Sequence, residues 1–215
     1  MSSTRTEEYW SRFPDTYDES QEYVAGKQLI DDITQEINSL PELGDLVEFG
    51  CGTGRFTKTI SVKAQSMVAT DLSDTLLEVA RARIGENPGI TVQKEDCMVV
   101  SFPSESFDSA FMANLIHVIE KPEALLQECN RILKDNGTIV IATFTTHGMK
   151  RWEKIKMAFR FIRTWGKPPA HTHTFTPDIL SKMMGDAGFS VETAKLIGSK
   201  SKAVFIIGRK VSDNK

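Results

Sequence analysis

The sequence contains no long apolar run. No stretch approaches the roughly 18 to 20 consecutive apolar residues of a membrane-spanning helix. The first eight residues, Met-Ser-Ser-Thr-Arg-Thr-Glu-Glu, lack the apolar core of a signal peptide. We therefore expect a cytoplasmic protein with no transmembrane segment.

Cysteine is also scarce. The three cysteines, Cys51, Cys97 and Cys129, lie far apart and in no metal-ligand spacing, which favours reduced structural thiols over a disulfide or a zinc site. His171 and His173 alternate as on one face of a strand, but two histidines with no nearby carboxylate or thiol make a poor metal site. We expect no metal.

One segment carries a net positive charge within an otherwise acidic chain. The formal net charge of −3 argues against a general nucleic-acid-binding protein. Residues 150–167, however, contain seven lysines and arginines and one glutamate, which gives this segment a net charge of +6. The remainder of the chain therefore carries −9.

A glycine-rich turn follows the first predicted strand. Leu46, Val47 and Phe49 form a short apolar run typical of a strand buried on both faces. Three glycines at alternate positions then permit positive φ and a close ligand approach, and a helix is predicted over residues 55–61. A strand, a glycine turn and a helix in this order indicate a nucleotide-type ligand site.

The glycine spacing separates two ligand classes. A dinucleotide site needs glycine at the first, third and sixth positions, but the sixth position counted from Gly50 is Arg55. The pattern from Glu48 through Gly54 instead resembles the first motif of class I S-adenosylmethionine (SAM) dependent methyltransferases, in the small-molecule methyltransferase type 11 group. The resemblance implies that Glu48, Gly50, Cys51, Gly52 and Gly54 contact SAM.

Acidic residues follow the next two predicted strands. Asp71 ends the strand over residues 66–70 and is followed by Leu72, and a carboxylate there can accept hydrogen bonds from both ribose hydroxyls of a nucleoside. Asp96 and Cys97 follow the strand over residues 90–94. The resemblance implies that this acidic-small pair binds the adenine.

The fourth predicted strand, residues 109–112, leads into Asn114 and His117. The resemblance implies that main chain near Asn114 holds the amino group of the methionine moiety and that the segment through His117 flanks the transferring methyl group. His117 is either a structural hydrogen-bonding residue or a catalytic residue that orients or deprotonates the acceptor.

Two strand-like runs, residues 189–197 and 203–208, are joined by the short polar connection Gly198-Ser-Lys-Ser-Lys. Such a connection requires antiparallel strands. The fold expected is a doubly wound, Rossmann-like α/β methyltransferase fold, with a seven-stranded, mostly parallel sheet that ends in an antiparallel hairpin. This hairpin distinguishes the methyltransferase version of the doubly wound fold from the dinucleotide version.

Two additions to this fold are predicted. The N-terminal segment contains Tyr9, Trp10, Phe13 and Tyr17, and it either covers a core edge or forms a lid on which Tyr17 contacts the cofactor. One helix is predicted over residues 20–40. The second addition is an insertion of about thirty residues after the fifth strand, which is long for a connection.

The insertion contains a basic amphipathic helix. Met149, Trp152, Ile155, Phe159 and Ile162 recur at helical spacing, and basic residues occupy the other positions. Three interpretations remain open. The apolar face closes the substrate pocket as a lid, or residues 149–165 contact an anionic membrane and give access to a lipid or quinone, or the charges attract an anionic acceptor or a partner.

These features predict a single SAM-dependent methyltransferase domain over residues 1–215. Its expected parts are an N-terminal lid and helix, the SAM-binding core, a helical cap, and a C-terminal helix with the hairpin: residues 1–40, 41–145, 146–175 and 176–215. The expected reaction transfers a methyl group to a small molecule and leaves S-adenosylhomocysteine. A non-catalytic SAM-binding regulator and a nicotinamide-dependent oxidoreductase are the alternatives, and the sequence determines neither the acceptor nor the oligomeric state.

Overall fold

The computed structural model of this chain describes residues 8–12, 14–169 and 171–212. Phe13 of the predicted aromatic segment, and residues 1–7 of the predicted N-terminal part, lie outside the described residues.

A seven-stranded sheet crosses the molecule in the order β3-β2-β1-β4-β5-β7-β6. Strands β1 to β5 are parallel to one another, whereas β7 is antiparallel to both β5 and β6. The predicted sheet with its C-terminal antiparallel hairpin is therefore confirmed. The strands are β1 (Gly44–Phe49), β2 (Ala64–Asp71), β3 (Ile90–Lys94), β4 (Phe107–Ala113), β5 (Leu133–Thr145), β6 (Phe189–Ile197) and β7 (Lys202–Lys210).

Helices cover both faces of the sheet. One buried apolar cluster joins α2, α3 and α4 to the sheet, and a second joins α5 and α7 to its other face. The buried strands are apolar on both faces because each lies between two helical layers. The helices are α1 (Tyr17–Ala25), α2 (Lys27–Asn38), α3 (Thr57–Ile60), α4 (Asp74–Ile84), α5 (Pro122–Ile132), α6 (Arg151–Trp165) and α7 (Pro177–Asp186).

Three boundaries differ from the sequence prediction. The single helix expected over residues 20–40 is two helices, because Gly26 adopts a φ of 90° that ends α1 before α2 begins. The helix after the glycine turn begins at Thr57 rather than at Arg55. The strand expected over residues 109–112 is longer, because β4 begins at Phe107 and ends at Ala113.

Helix α6 is present, but its apolar face does not close a pocket as the lid interpretation expected. Trp152, Ile155, Phe159 and Ile162 are exposed by 58 to 65%. A second set at four-residue spacing, Met157, Phe161 and Trp165, is half-buried instead. In the part of the chain that the structure describes, neither α6 nor any other helix is both long and apolar enough to cross a bilayer.

Candidate functional site

The carboxyl ends of the parallel strands border a cavity of about 510 Å³. Ligands of doubly wound folds bind at these strand ends, and the volume is in the usual range for a small-molecule site. Every predicted site residue except Gly54 and His117 lines it. These lining residues are Tyr17, Glu48, Gly50, Cys51, Gly52, Asp71, Leu72, Asp96, Cys97 and Asn114.

The glycine turn presents main chain to this cavity. Gly50, Gly52 and Gly54 have φ values of 66°, 55° and 74°, as the alternating glycines predicted. At Gly52 an added Cβ would meet nothing closer than Tyr17 at 4.0 Å, so the main chain there is open to a ligand. At Gly54 an added Cβ would lie 3.3 Å from Ala80, so that glycine permits the turn to pack on α4.

Asp71 connects two main-chain segments at the end of β2. Its Oδ2 accepts a hydrogen bond of 2.9 Å from the Gly52 N–H, and its Oδ1 accepts one of 2.9 Å from the Ser73 N–H. Ser73 provides the N-terminal cap of α4 by accepting from the Leu76 N–H. Asp71 itself is therefore not the cap of this helix.

Glu48 is almost completely buried at the end of β1. The Thr57 hydroxyl donates a hydrogen bond of 2.6 Å to its Oε2. Burial, together with the negative charge of Asp71, raises the pKa of Glu48 to about 8, although the bond from Thr57 opposes the rise. The side chain is therefore largely protonated at neutral pH.

Asp96 and Cys97 line the cavity beyond β3. Asp96 folds the loop back on itself, because its Oδ1 accepts a hydrogen bond of 3.0 Å from the Met98 N–H. Burial and the charges of Asp96 and Asp71 raise the pKa of Cys97 to about 12. Cys97 is therefore an unreactive thiol, and Cys51, Cys97 and Cys129 form no disulfide among the described residues.

Asn114 has the least usual environment in the cavity. It adopts a φ of 58°, while its N–H continues the β4–β5 pairing through a 2.7 Å bond to the Ala142 carbonyl. Both polar atoms of its side chain are buried, and neither has a hydrogen-bond partner in the described part of the chain. Such a group normally pairs with something, so its position on the cavity wall indicates a polar ligand group.

His117 lies behind the cavity. Its Nδ1 is 2.9 Å from the Thr143 hydroxyl, and its carbonyl accepts from the His173 N–H at 2.8 Å. Burial, with a smaller contribution from His173, lowers the pKa of His117 to about 4. The imidazole is therefore neutral near pH 7, and its contacts are those of a structural residue.

Three aromatic rings, which we call the aromatic cover, meet at one side of the cavity. Trp10, Tyr17 and Trp165 have ring centroids between 6.1 and 6.2 Å apart. Trp10 and Tyr17 line the cavity, whereas Trp165 is the last residue of α6. Burial and the nearby Asp71 charge raise the pKa of Tyr17, so its hydroxyl remains protonated.

An ionic cluster attaches α1 to the glycine turn. Asp18 accepts a hydrogen bond of 2.7 Å from Thr53 and forms ion pairs with Arg55 and Arg83 at 3.3 and 2.5 Å. Burial alone would raise the pKa of Asp18, but these partners hold it below its usual value. Arg55 also binds Glu22 at 2.9 Å. The residue that replaces the dinucleotide glycine thus holds α1 over the cavity.

One of the two histidines of the insertion, His171, lies near a carboxylate that the sequence did not reveal. His171 Nε2 is 3.8 Å from Glu120 Oε2, because the fold returns residues 171–175 to the end of β4. His173 Nε2 instead donates to the Ile119 carbonyl at 3.0 Å. Within the described ranges, no group of three His, Cys, Asp or Glu side chains could hold a metal ion.

Residues 47–141, which include the second half of β1, all of β2, β3 and β4, and most of β5, match the family described as "Methyltransferase domain". This match and the sheet order indicate a class I SAM-dependent methyltransferase domain in this part of the chain. The topology agrees with this family, because β7 is antiparallel between β5 and β6. SAM is the cofactor that the family and the fold imply.

Three proteins illustrate what this chain is similar to. A demethylmenaquinone methyltransferase from Clavibacter sepedonicus is 29% identical over 101 residues, which are 47% of this chain and 41% of that protein. A SAM-dependent methyltransferase structure from Thermotoga maritima has a TM-score of 0.72 at 25% identity, with 94% and 99% of the two chains covered. The [4+2]-cyclase SpnF has a TM-score of 0.74 at 13% identity, with 99% and 98% covered.

The chain spans about half the length of the curated relatives that it matches. The likeness to SpnF concerns the fold alone. SpnF is described as a [4+2]-cyclase, so a protein with another described activity shares this architecture. The match to a methyltransferase domain therefore implies the cofactor but leaves the acceptor open.

The cavity is chemically suited to SAM. The orphaned amide of Asn114 and the carboxylates of Asp71 and Asp96 offer donors and acceptors at three strand ends. Open main chain at Gly52 lies between them. The cavity thus pairs acceptors for ribose hydroxyls and an adenine amine with a polar group for the amino acid moiety.

Sequence reasoning missed part of the lining. Trp10 enters from the segment before α1, whereas Asp18 and Gln21 enter from α1. Thr53 and Arg55 enter from the glycine turn, and residues 118–121 close another side. The aromatic residues of the N-terminal segment were the available signal for Trp10. No local pattern indicates residues 118–121, because their position depends on the turn that Asn114 starts.

Proposed function

We propose that this protein transfers a methyl group from SAM to a small-molecule acceptor. The observation that supports this proposal best is the buried, unpaired amide of Asn114 on the wall of a cavity that Asp71 and Asp96 also line. Bound SAM supplies a methyl group activated by its sulfonium. The acceptor forms a bond to this carbon as the carbon–sulfur bond breaks, its electron pair leaves with sulfur, and S-adenosylhomocysteine remains.

In this proposal the protein binds SAM and the acceptor, orients them towards each other, and excludes water from the cavity. Asp71 accepts from the ribose hydroxyls, Asp96 accepts from the adenine amine, and the Cys97 N–H donates to the ring. Asn114 holds the methionine amino group, and Tyr17 covers the cofactor. Alignment of the reacting atoms at about 3 to 3.5 Å and removal of water supply most of the catalysis that such a displacement needs.

No general base is required. His117 is neutral but lies behind the cavity, with its Nδ1 against Thr143. We therefore assign it to positioning residues 114–118 rather than to proton transfer. An acceptor whose own pKa is low loses its proton to water, so the methyl transfer proceeds without an enzyme base.

The acceptor enters beside the aromatic cover. Trp10 lines this side, and Val118, Ile119, Glu120 and Lys121 line another. A cavity wall that combines an indole, two aliphatic side chains and two opposite charges suits a small, partly apolar molecule. A lipid-soluble acceptor such as a quinol is a second candidate, because α6, which carries an exposed apolar face, ends at Trp165 of the same aromatic cover.

A labelled-methyl assay tests the proposal. Protein and methyl-labelled SAM are incubated with thiols, phenols, quinols, amines and carboxylates, each as a water-soluble and a lipid-soluble member. We expect the labelled methyl group to appear in one class of acceptor, with S-adenosylhomocysteine formed in an amount equal to the methylated product. If SAM binds but no class accepts label, a non-catalytic SAM-binding role replaces the proposal.

A further inference from the structure

The exposed face of α6 is an unusual surface for a protein in water. Trp152, Ile155, Phe159 and Ile162 form a continuous stripe, which we call the apolar stripe, and each is 58% or more exposed. Scattered apolar residues are normal on surfaces, whereas a contiguous row of large ones indicates an interaction site. The stripe lies away from the cavity, so the proposed methyl transfer does not explain it.

Basic residues border the apolar stripe. Lys156 Nζ lies 6.0 Å from the centroid of the Trp152 ring, and Arg151 and Arg163 are exposed on the same helix. Residues 150–167 carry +6 in a chain whose remainder carries −9. An apolar face with cationic borders is the pattern of helices that lie in the interface of an anionic membrane.

A basic crevice of about 180 Å³ adjoins one border of the stripe. Lys156 and Arg160 of α6 line it together with Lys200 of the β6–β7 turn, and Ser199 and Ser201 add hydroxyl donors. Glu153 is its one acidic lining residue, and Arg160 is held in place by a 3.2 Å hydrogen bond to the Tyr23 carbonyl. Ammonium, guanidinium and hydroxyl donors around a small opening suit a phosphate group.

We propose that α6 docks this protein on an anionic lipid bilayer. The apolar stripe enters the boundary between headgroups and acyl chains, and the basic crevice takes the phosphate of one headgroup. Pairing of two copies through this face is disfavoured, because a symmetric contact would bring two +6 segments together. Docking goes beyond the proposed function and does not depend on methyl transfer.

The docked orientation would bring the aromatic cover towards the membrane. Trp165 ends α6 and is 6.1 Å from Trp10, which lines the cavity. A membrane-bound acceptor would therefore enter the cavity beside the helix that binds the bilayer. The position of α6 thus connects the docking surface with the cavity.

Vesicle co-sedimentation tests this proposal on the full chain. Vesicles of phosphatidylcholine alone are compared with vesicles of phosphatidylcholine and phosphatidylglycerol, at low and high salt. We expect binding to the anionic vesicles that weakens as salt rises, because charge attraction near a membrane is screened. No sedimentation with anionic vesicles at low salt, or equal sedimentation with neutral vesicles, would overturn the proposal.

Paired variants separate insertion from charge attraction. Ile155→Ser with Phe159→Ser should weaken vesicle binding at least about thirtyfold, since each side chain leaves an apolar environment. The matched control, Val62→Ser with Ile179→Ser, removes residues that are 69 and 50% exposed elsewhere and should bind as the parent does. A stripe variant that binds as tightly as the parent contradicts insertion.

Lys156→Gln with Lys200→Gln tests the crevice. Each lost charge should weaken binding about fivefold, whereas Lys58→Gln with Lys182→Gln should have little effect. Binding that is unchanged by the crevice variant, or changed equally by the control, contradicts a headgroup site there.

Fluorescence and light scattering complete the test. Anionic vesicles should shift tryptophan emission to shorter wavelength, and Trp152→Phe should remove the shift while it retains vesicle binding. Light scattering should show that the parent and the stripe variant have the same mass. If the parent is an oligomer and the stripe variant is a monomer, the apolar stripe forms a contact between copies of the chain. That result would overturn lipid docking.

Discussion

Asp71 and Asn114 illustrate how far single residues could be predicted. Asp71 was predicted as a ligand residue because it ends a parallel strand beside the glycine turn, and it does line the cavity. The buried side chain of Asn114 could not be predicted, because its lack of partners depends on residues distant in the sequence. The packing of Gly54 on Ala80 was hidden for the same reason, since an alternating glycine can face a ligand or a helix.

Asp71→Ala should weaken SAM binding by about 1 to 3 kcal/mol, because it leaves ribose hydroxyls without acceptors. Titration calorimetry measures this change. Asp74→Ala is the matched control, because Asp74 is an exposed acid that pairs with Lys94 at the start of α4. Equal affinities for the parent and Asp71→Ala would refute the ribose assignment, and a loss in the control would show that the effect is general.

Glu48→Gln should change how stability depends on pH. Glu48 has a folded-state pKa of about 8 against a usual 4.5, so the folded state holds a proton that the unfolded state loses. The parent therefore loses unfolding free energy as pH rises from 4.5 to about 8, by up to about 1.4 kcal/mol per pH unit.

Glutamine keeps an acceptor for the Thr57 hydroxyl but cannot ionise. Urea unfolding across this pH range should therefore show a flatter profile for the variant. Parallel pH profiles for the two proteins would mean that Glu48 ionises in the folded state as readily as in the unfolded one.

At the scale of elements, most helices and strands could be predicted. The errors concern where a helix begins or ends and which side of a helix packs against the protein. The single helix predicted over residues 20–40 did not include the break at Gly26, whose φ of 90° ends α1. For α6 the spacing of the apolar residues predicted the helix but not which of its sides packs against the protein. The helix has two apolar stripes, and only packing on α1 determines that Met157, Phe161 and Trp165 face inward.

Arg55→Ala should loosen α1. It removes the ion pairs with Asp18 and Glu22, which are only partly exposed, while Asp18 keeps Thr53 and Arg83. We expect amide hydrogens of residues 17–25 to exchange about fivefold faster, consistent with a loss of about 1 kcal/mol in local stability. Hydrogen-exchange mass spectrometry measures this effect.

Arg209→Ala is the control for this prediction. It removes an exposed ion pair with Glu192, at 2.7 Å in the C-terminal hairpin, and should leave α1 unchanged. Protection of residues 17–25 that survives Arg55→Ala would mean that the aromatic cover, rather than the ionic cluster, holds α1 in place.

At the scale of the whole molecule, the sheet order follows from sequence features that lie far apart. The glycine turn and the acids after β2 and β3 indicate the parallel half, and the short connection between β6 and β7 requires the antiparallel hairpin. The choice of acceptor could not be predicted, because it depends on surfaces from α1, α6 and residues 118–121 that meet only in the folded chain.

The central claim is that this cavity binds SAM rather than a nicotinamide dinucleotide. Titration calorimetry of the full chain with SAM, S-adenosylhomocysteine and NADH tests it most directly. We predict saturable binding of SAM and S-adenosylhomocysteine at one site, with no heat from NADH. Tight binding of NADH together with no binding of SAM would contradict the claim.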